Sequence, residues 1–354
     1  MVFASTDHRG HKGAVRYTTS YCLYYRFGFA VMTPSQPPVL VLPDNFRDAA
    51  RSDWEVEHRF AGHPADALAD MLATVPGNTI GIVGLRDAMR AADYLHLAAR
   101  LPGKRLVDAE DAFEQVRARK SEEEIAGIED AADIADACFG RLLSLVRDGI
   151  TERALEAQIQ AFCTGLGAGD TLFLVMGMQG EADAIRPFMG PPRDLPITAG
   201  RPLMFSIELT GPSGYWTEFC RTVVIGDAAP ANMAASQACA RGIAAAAEAL
   251  VPGARMADVY ARAQAAVGDA HLMGAAIGHS IGLDVVERPL IALGAAGSID
   301  AGADTAMAFA VHPRIKSPSG AVHAYAADTL VLRNGQARAL SRWPHEIYTR
   351  GSTP

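Results

Sequence analysis

A chain of 354 residues with 49% hydrophobic and 20% charged residues is globular in composition and too long for one ordinary core, so two domains are expected. Its formal net charge of −8 leaves no electrostatic footprint for nucleic acid or an anionic membrane. Five cysteines (Cys22, Cys138, Cys163, Cys220 and Cys239) show no CxxC spacing, and their odd number argues against a disulfide framework. With no apolar run behind the N-terminus and no segment apolar enough to span a bilayer, a cytoplasmic protein acting on a small molecule is expected.

Residues 1–116 mix short apolar runs with helical periodicity. Val39–Leu42 and Ile80–Val83 read as buried strands, and the stretch from Ala88 to Leu101 reads as a helix ended by Pro102-Gly103. This is a small α/β domain. Its segment from His8 to Gly13, continuing to Arg16 and Tyr17, is a cation-rich loop, either a solvated face or an arm reaching a partner's site.

At Arg117–Lys120 the composition shifts, and a second domain, 117–354, begins. Ser121 with Glu124 forms a capping box ahead of Ile125, Ile128, Ile134, Cys138, Leu142 and Leu145, which predicts a long amphipathic helix running to Asp148-Gly149. Thr151 caps a second helix carrying Leu155, Ile159 and Phe162. The arrangement then recurs: an Ala-rich helix from Asn232 to Leu250, a Pro252-Gly253 break, and a helix from Met256 to Val267. Strands follow each pair, at Leu203–Leu209 and Tyr215–Ile225, then at Ala306–Val311 and Thr329–Leu332. One motif used twice implies a pseudo-two-fold, with a site at the seam between the halves.

Two stretches carry the chemistry. Glu208, Glu218 and Arg221 lie on adjoining strands, where charges are costly to bury unless they pair or bind something. In Gly278-His279-Ser280-Ile281-Gly282-Leu283, glycines flank a histidine at points where backbone can come close and the imidazole projects. Cys220, among carboxylates, reads as a small buried hydrophobe.

These motifs resemble the pita-bread family of methionine aminopeptidase, aminopeptidase P, prolidase and creatinase. The resemblance rests on Gly214-Tyr215-x-x-Glu218-x-x-Arg221-Thr222, on Gly278–Leu283 with Glu287-x-Pro289 behind it, and on His312-Pro313. Lys120-Ser121 before the acidic run resembles the linker of the aminopeptidase P, prolidase and creatinase branch. The implied fold is α+β: a pita-bread C-terminal domain with a pseudo-two-fold repeat behind a smaller creatinase-type N-terminal domain.

The family's metallopeptidases hold two ions with two aspartates, one histidine and two glutamates. By resemblance the second aspartate falls on Glu218 and the first on Ile207 or Glu208, depending on a one-residue shift. The histidine falls on His279, the glutamates on His312 and Ala327, and a further, substrate-positioning histidine on Val286. Two ions are thereby unexpected. The resemblance instead implies a creatinase-like hydrolase or lyase without a cofactor, with His279, Glu218 and Glu208 as catalytic groups acting on a small amide, amidine or amino-acid-like substrate. Substrate contacts are expected from His312, Arg221, Tyr215, His323 and Glu287, and from Arg16 of a second subunit in a homodimer. Arg221 is also a candidate counter-ion for Glu218 or Glu208. The alternatives are a single-ion metallohydrolase holding one divalent ion with Glu208, Glu218, His279 and His312, and a non-catalytic binding protein. Tyr325 is a further candidate for lining the pocket, and Met176, Met178, Met189 and the segment from Asp183 to Arg186 fall where the family builds one pocket wall.

Overall fold

The computed structural model describes all residues except 9, 35, 49–51, 53, 180–185, 188–189, 300–304, 321 and 351–354. Of residues 175–179, 186 and 187 the backbone alone is described. Met1–Arg117 with Leu283–Val285 form one compact unit, and Ala118–Gly282 with Val286–Pro354 form a second.

The first unit is built on a six-stranded sheet of β1 (Val2–Thr6), β2 (Phe27–Thr33), β3 (Gln36–Pro43), β4 (Glu57–Ala61), β5 (Thr79–Val83) and β6 (Arg105–Asp108), in the order β4-β3-β2-β1-β5-β6. Successive residues of a strand face opposite ways, and here both faces are buried. Val39, Val41, Phe29 and Ile82 pack with Leu68, Leu72 and Leu97 of helices α2 (Pro64–Thr74) and α3 (Ala91–Arg100). Their neighbours Leu40, Leu42, Ala30 and Val83 pack on the other face with Val15 and Phe113, from α1 (Gly13–Thr19) and α4 (Glu110–Arg117). The stretch before Ala91 forms turns, so α3 starts later than its sequence pattern predicts. A buried ion cluster closes the unit: Arg117 bonds Glu114 and Asp284, each at 2.5 Å, and Asp284 also accepts from the Gly13 N–H at 2.8 Å.

The second unit begins with the predicted capping box. The Ser121 side chain accepts from the Glu124 N–H, the Glu124 carboxylate accepts from the Ser121 N–H, and α5 runs Glu122–Leu145. It ends before Asp148 because Val146 turns to extended backbone (ψ 122°). Thr151 caps α6 (Glu152–Gly165) through the Ala154 N–H. The first half's sheet has the order β19-β10-β9-β7-β8, from β7 (Thr171–Gln179), β8 (Arg186–Pro187), β9 (Leu203–Thr210), β10 (Trp216–Ile225) and the C-terminal β19 (Ile347–Arg350). Phe139, Leu142, Ile159, Phe205, Ile207 and Phe219 fill the core between it and α5/α6.

The second half repeats the plan with α7 (Pro230–Ala249) and α8 (Met256–Val267). Their apolar faces pack on a sheet ordered β13-β12-β14-β17-β18, from β12 (Ala276–Ser280), β13 (Glu287–Ala292), β14 (Met307–Val311), β17 (Asp328–Arg333) and β18 (Gln336–Ala339). A small sheet of β11 (Leu272–Met273), β15 (Arg314–Lys316) and β16 (His323–Tyr325) lies beside it in the chain. The halves meet where Cys220 and Ala327 exchange N–H···O bonds of 3.0 and 3.2 Å. There the Thr329 hydroxyl also accepts from the Glu218 N–H at 2.9 Å. The seam expected from the repeat therefore lies between β10 and β17. Among the described residues, no helix is long and apolar enough to cross a membrane.

Candidate active site

His279 is presented by β12, the strand between β13 and β14. A Cβ on Gly278 would stand 2.4 Å from the Ala310 carbonyl oxygen, so only glycine lets β12 lie this close to β14. A Cβ on Gly282 would stand 2.5 Å from a Glu287 carboxylate oxygen. The two glycines thus hold the strand end in place, and the imidazole reaches the seam.

There it meets two strand residues and a loop residue. Nε2 of His279 lies 3.2 Å from Glu218 Oε1, and its Nδ1 lies 3.0 Å from the Ser280 carbonyl oxygen. His312, just past the end of β14, is anchored by its N–H to the Ile277 carbonyl at 2.7 Å and brings Nε2 to 3.9 Å from Glu218 Oε2. The two imidazole rings are 5.0 Å apart. Ligand atoms of Glu218, His279 and His312 all lie within 4.8 Å of one another. Glu208 is the direct cross-strand neighbour of Glu218 and accepts from the Ser206 hydroxyl at 3.1 Å. The pairing settles the one-residue ambiguity in β9, because Glu208 and not Ile207 faces Glu218.

The electrostatics follow from burying these groups together. Burial alone would lift the Glu218 carboxyl, but the two imidazoles more than offset it and hold it below the ordinary range. Burial works against charge on His279, yet Glu218 and the Ser280 carbonyl prevail and raise it. At His312 burial wins and the ring is pushed toward neutral, with Glu218 opposing and His279 assisting. Two carboxylates directly opposite each other repel. Burial first, then Glu218, therefore push Glu208 well above the ordinary range, against the Ser206 hydrogen bond.

The raised Glu208 carboxyl has a consequence for stability. A group that binds its proton more tightly when folded contributes most at low pH, and that contribution is lost as pH climbs from the unfolded value of about 4.5 through the raised one. A neutral amide keeps the Ser206 bond without the charge, so Glu208→Gln is expected to raise Tm at pH 8 and not at pH 4. Thermal unfolding in chelator should show a gain of roughly 2–4 °C, the shift made by about 1 kcal/mol in a domain of this size.

Several expected substrate contacts lie elsewhere. Arg221 is 1% exposed and pairs with Asp328 at 2.8 Å, not with Glu218 or Glu208. Its guanidinium also donates to the carbonyls of Cys220, Ala327, Trp343 and Pro344 and sits 4.4 Å above the Phe219 ring. Glu287 is consumed by Lys120 at 2.8 Å, both side chains 1% exposed. Tyr215 donates to Glu124 at 3.1 Å, at the start of α5. His323 bonds the Gly320 carbonyl at 3.0 Å within its own hairpin. Arg16, expected to reach the site of a second subunit and not that of its own chain, lies 3.6 Å from the Cys22 sulfur within the first unit. Met189 and Asp183 lie outside the described residues, as does Arg9 in the cation-rich loop, and only the backbone is described at Met176 and Met178. Val286, at the position of the further histidine, is half exposed.

The profile of metallopeptidase family M24 matches residues 126–334, well over half of the chain, and that of the creatinase/prolidase N-terminal domain matches residues 11–119. The chain belongs to metallopeptidase family M24. This places it among the hydrolases of C–N bonds. The Xaa-Pro dipeptidase of Lactobacillus delbrueckii subsp. lactis is 25% identical over 290 residues, covering 79% of this chain and 77% of that protein. The probable dipeptidase PepE of Mycobacterium bovis is 28% identical over 281 residues, covering 78% of this chain and 72% of that protein. Among solved structures, dipeptidase PepE of Mycobacterium ulcerans superposes with a TM-score of 0.78 at 27% identity, over 99% of this chain and 92% of that one. The X-Pro aminopeptidase of Thermotoga maritima MSB8 gives 0.81 at 18% identity, over 98% and 95%, a likeness of fold.

Against the M24 pattern, a two-ion centre does not fit this chain. The second-glutamate position is the methyl group of Ala327, buried in a cluster with Met204, Cys220 and Tyr325. Burial pushes the Cys220 thiol well up, so it offers no thiolate. One ion does fit, because Glu218 and two imidazoles converge, and mixed histidine and carboxylate sets suit zinc, iron or manganese. Glu208 stands beside that triad as a carboxyl and not within it.

Proposed function

We propose that this M24 protein is a single-ion hydrolase that cleaves the C–N bond of short, dipeptide-like amides. The observation that carries the reading is the convergence of Glu218, His279 and His312 within 4.8 Å. Burial favours a neutral His312, the form in which an imidazole ligates. The likeness to dipeptidases over most of the chain supports the substrate class.

Glu218, His279 and His312 would hold the ion, which when bound supplies a polarised carbonyl and a more acidic water. The remaining work falls to the chain's own groups. Glu208, which holds its proton tightly, gives that proton to the departing nitrogen as the C–N bond breaks, and takes in its place the proton released when the water oxygen bonds to the carbonyl carbon. The products are a carboxylic acid and an amine, and Glu208 ends protonated as it began. Met204, Cys220, Tyr325 and Ala327 form a small buried cluster, and Glu208, Glu218 and His279 are themselves at most 7% exposed.

A second reading is favoured by the His279–Glu218 contact of 3.2 Å. It is a metal-independent, creatinase-like acid–base dyad in which His279 itself carries the proton. Elemental mass spectrometry on protein purified without added metal, then loaded with zinc, manganese or iron, separates the two. The single-ion reading expects about one equivalent per chain and its loss in His279→Ala and His312→Ala. Activity on dipeptides with no ion bound, unaffected by His312→Ala, would establish the dyad instead.

A further inference from the structure

The half of the site that family relatives give to a second ion holds an apolar floor with one hydroxyl. Tyr325 ends β16, with its ring 6.1 Å from that of His312 and packed with Met204, Cys220 and Ala327. The residue is 6% exposed, and its hydroxyl makes no hydrogen bond among the described residues. Phenol hydroxyls inside proteins ordinarily find a partner, so this one, at the edge of a polar cluster, is open to a group that arrives with the substrate. The carboxylates of that cluster, Glu218 and Glu208, are the charges that bear most on it, after burial itself. A phenol ordinarily keeps its proton up to a pH of about 10, so the hydroxyl is a donor across the working range.

We propose that the Tyr325 hydroxyl donates a hydrogen bond to the carbonyl oxygen of the scissile amide, on the side where Ala327 and Cys220 leave no carboxylate for a second ion. This deepens the hydrolase reading and rests on it. Charge developing on that oxygen as water adds is met by a fixed neutral donor, the kind of contact that strengthens toward the transition state. A single donor of this kind is worth about a hundredfold in turnover. Tyr325 also narrows the ligand, because a phenol over a methyl and thiol floor suits a neutral carbonyl and gives no counter-charge to an acidic side chain.

Tyr325→Phe keeps the ring and its packing and removes only the hydroxyl. The test compares wild type and variant, each loaded with one divalent ion, on a panel of unblocked dipeptides with and without a second-position proline. The expected result is a fall in kcat of about 100-fold, with KM within about twofold, and with ion content and Tm unchanged. An unchanged kcat overturns the role of Tyr325 while leaving the hydrolase reading intact. Loss of the ion or of stability in the variant also overturns it, by showing a ligand or a packing residue. A wild type that binds no ion and cleaves nothing in the panel overturns the hydrolase reading itself, and this inference with it.

Discussion

Glu218→Ala is expected to empty the site of its ion and lower kcat/KM on dipeptides by about a thousandfold or more, with the protein still folded. Glu218 is the only carboxylate of the converging triad, and one of its oxygens faces His279 while the other faces His312. Two neutral imidazoles without a carboxylate make a weak divalent-cation site, and the remaining Glu208 holds its proton tightly. The same geometry gives ion binding a pH dependence of fixed sign. Ligation needs His279 deprotonated, and Glu218 raises its pKa above the usual 6.5. Affinity should therefore weaken as pH falls through a midpoint above that value, well before the depressed Glu218 carboxylate takes up a proton. Metal titrations from pH 8.5 to 5.5, with ion content and turnover followed together, check both statements. A Glu218→Ala protein that keeps one equivalent and most of its turnover would sink the assignment.

Much of this site was legible in the sequence because its residues sit in locally marked places. His279 lies between glycines, and the structure shows why: Gly278 permits a strand contact that a Cβ would block. Glu218 follows Gly214-Tyr215 at the family spacing, and His312 precedes a proline at the end of β14. The helices were legible for similar reasons, with α5 opened by a capping box and α8 carrying its apolar stripe from Met256 to Val267. Two kinds of information were not. Every residue of β9 and β10 is buried, so alternation does not reveal which face looks into the site, and Glu208 was separable from Ile207 only once the strands were paired. Ion-pair partners were the other gap. Glu287 finds Lys120 across 167 residues and Arg221 finds Asp328 across 107, and no local pattern encodes such distant choices. One signal was present in hindsight: Arg221-Thr222 and Asp328-Thr329 stand at matching places in the two halves, as a seam-crossing pair would.

Arg221 gives the largest expected effect on stability. Arg221→Ala should cost roughly 3–5 kcal/mol, as removal of one partner of a buried pair does. It leaves the Asp328 carboxylate, 1% exposed, with the His345 imidazole at 3.1 Å in place of a guanidinium, and takes their donor from the carbonyls of Cys220, Ala327, Trp343 and Pro344. At roughly 2–4 °C per kcal/mol for a domain of this size, Tm should fall by about 10 °C, and aggregation on expression is an accompanying outcome. Adding Asp328→Ala removes that buried charge and should recover part of the loss, the non-additivity expected of residues in contact. Arg221→Lys should recover less, because an ammonium cannot fork across Asp328 and several carbonyls at once. The enzymatic readout then distinguishes this role from substrate binding. A seam residue lowers the amount of folded protein while each folded molecule retains its KM, whereas a substrate-binding arginine would leave Tm near wild type and raise KM. Since Ala327 and Cys220, whose carbonyls Arg221 holds, also form the floor beneath Tyr325, small losses of kcat in a folded Arg221→Lys variant would report movement of that floor.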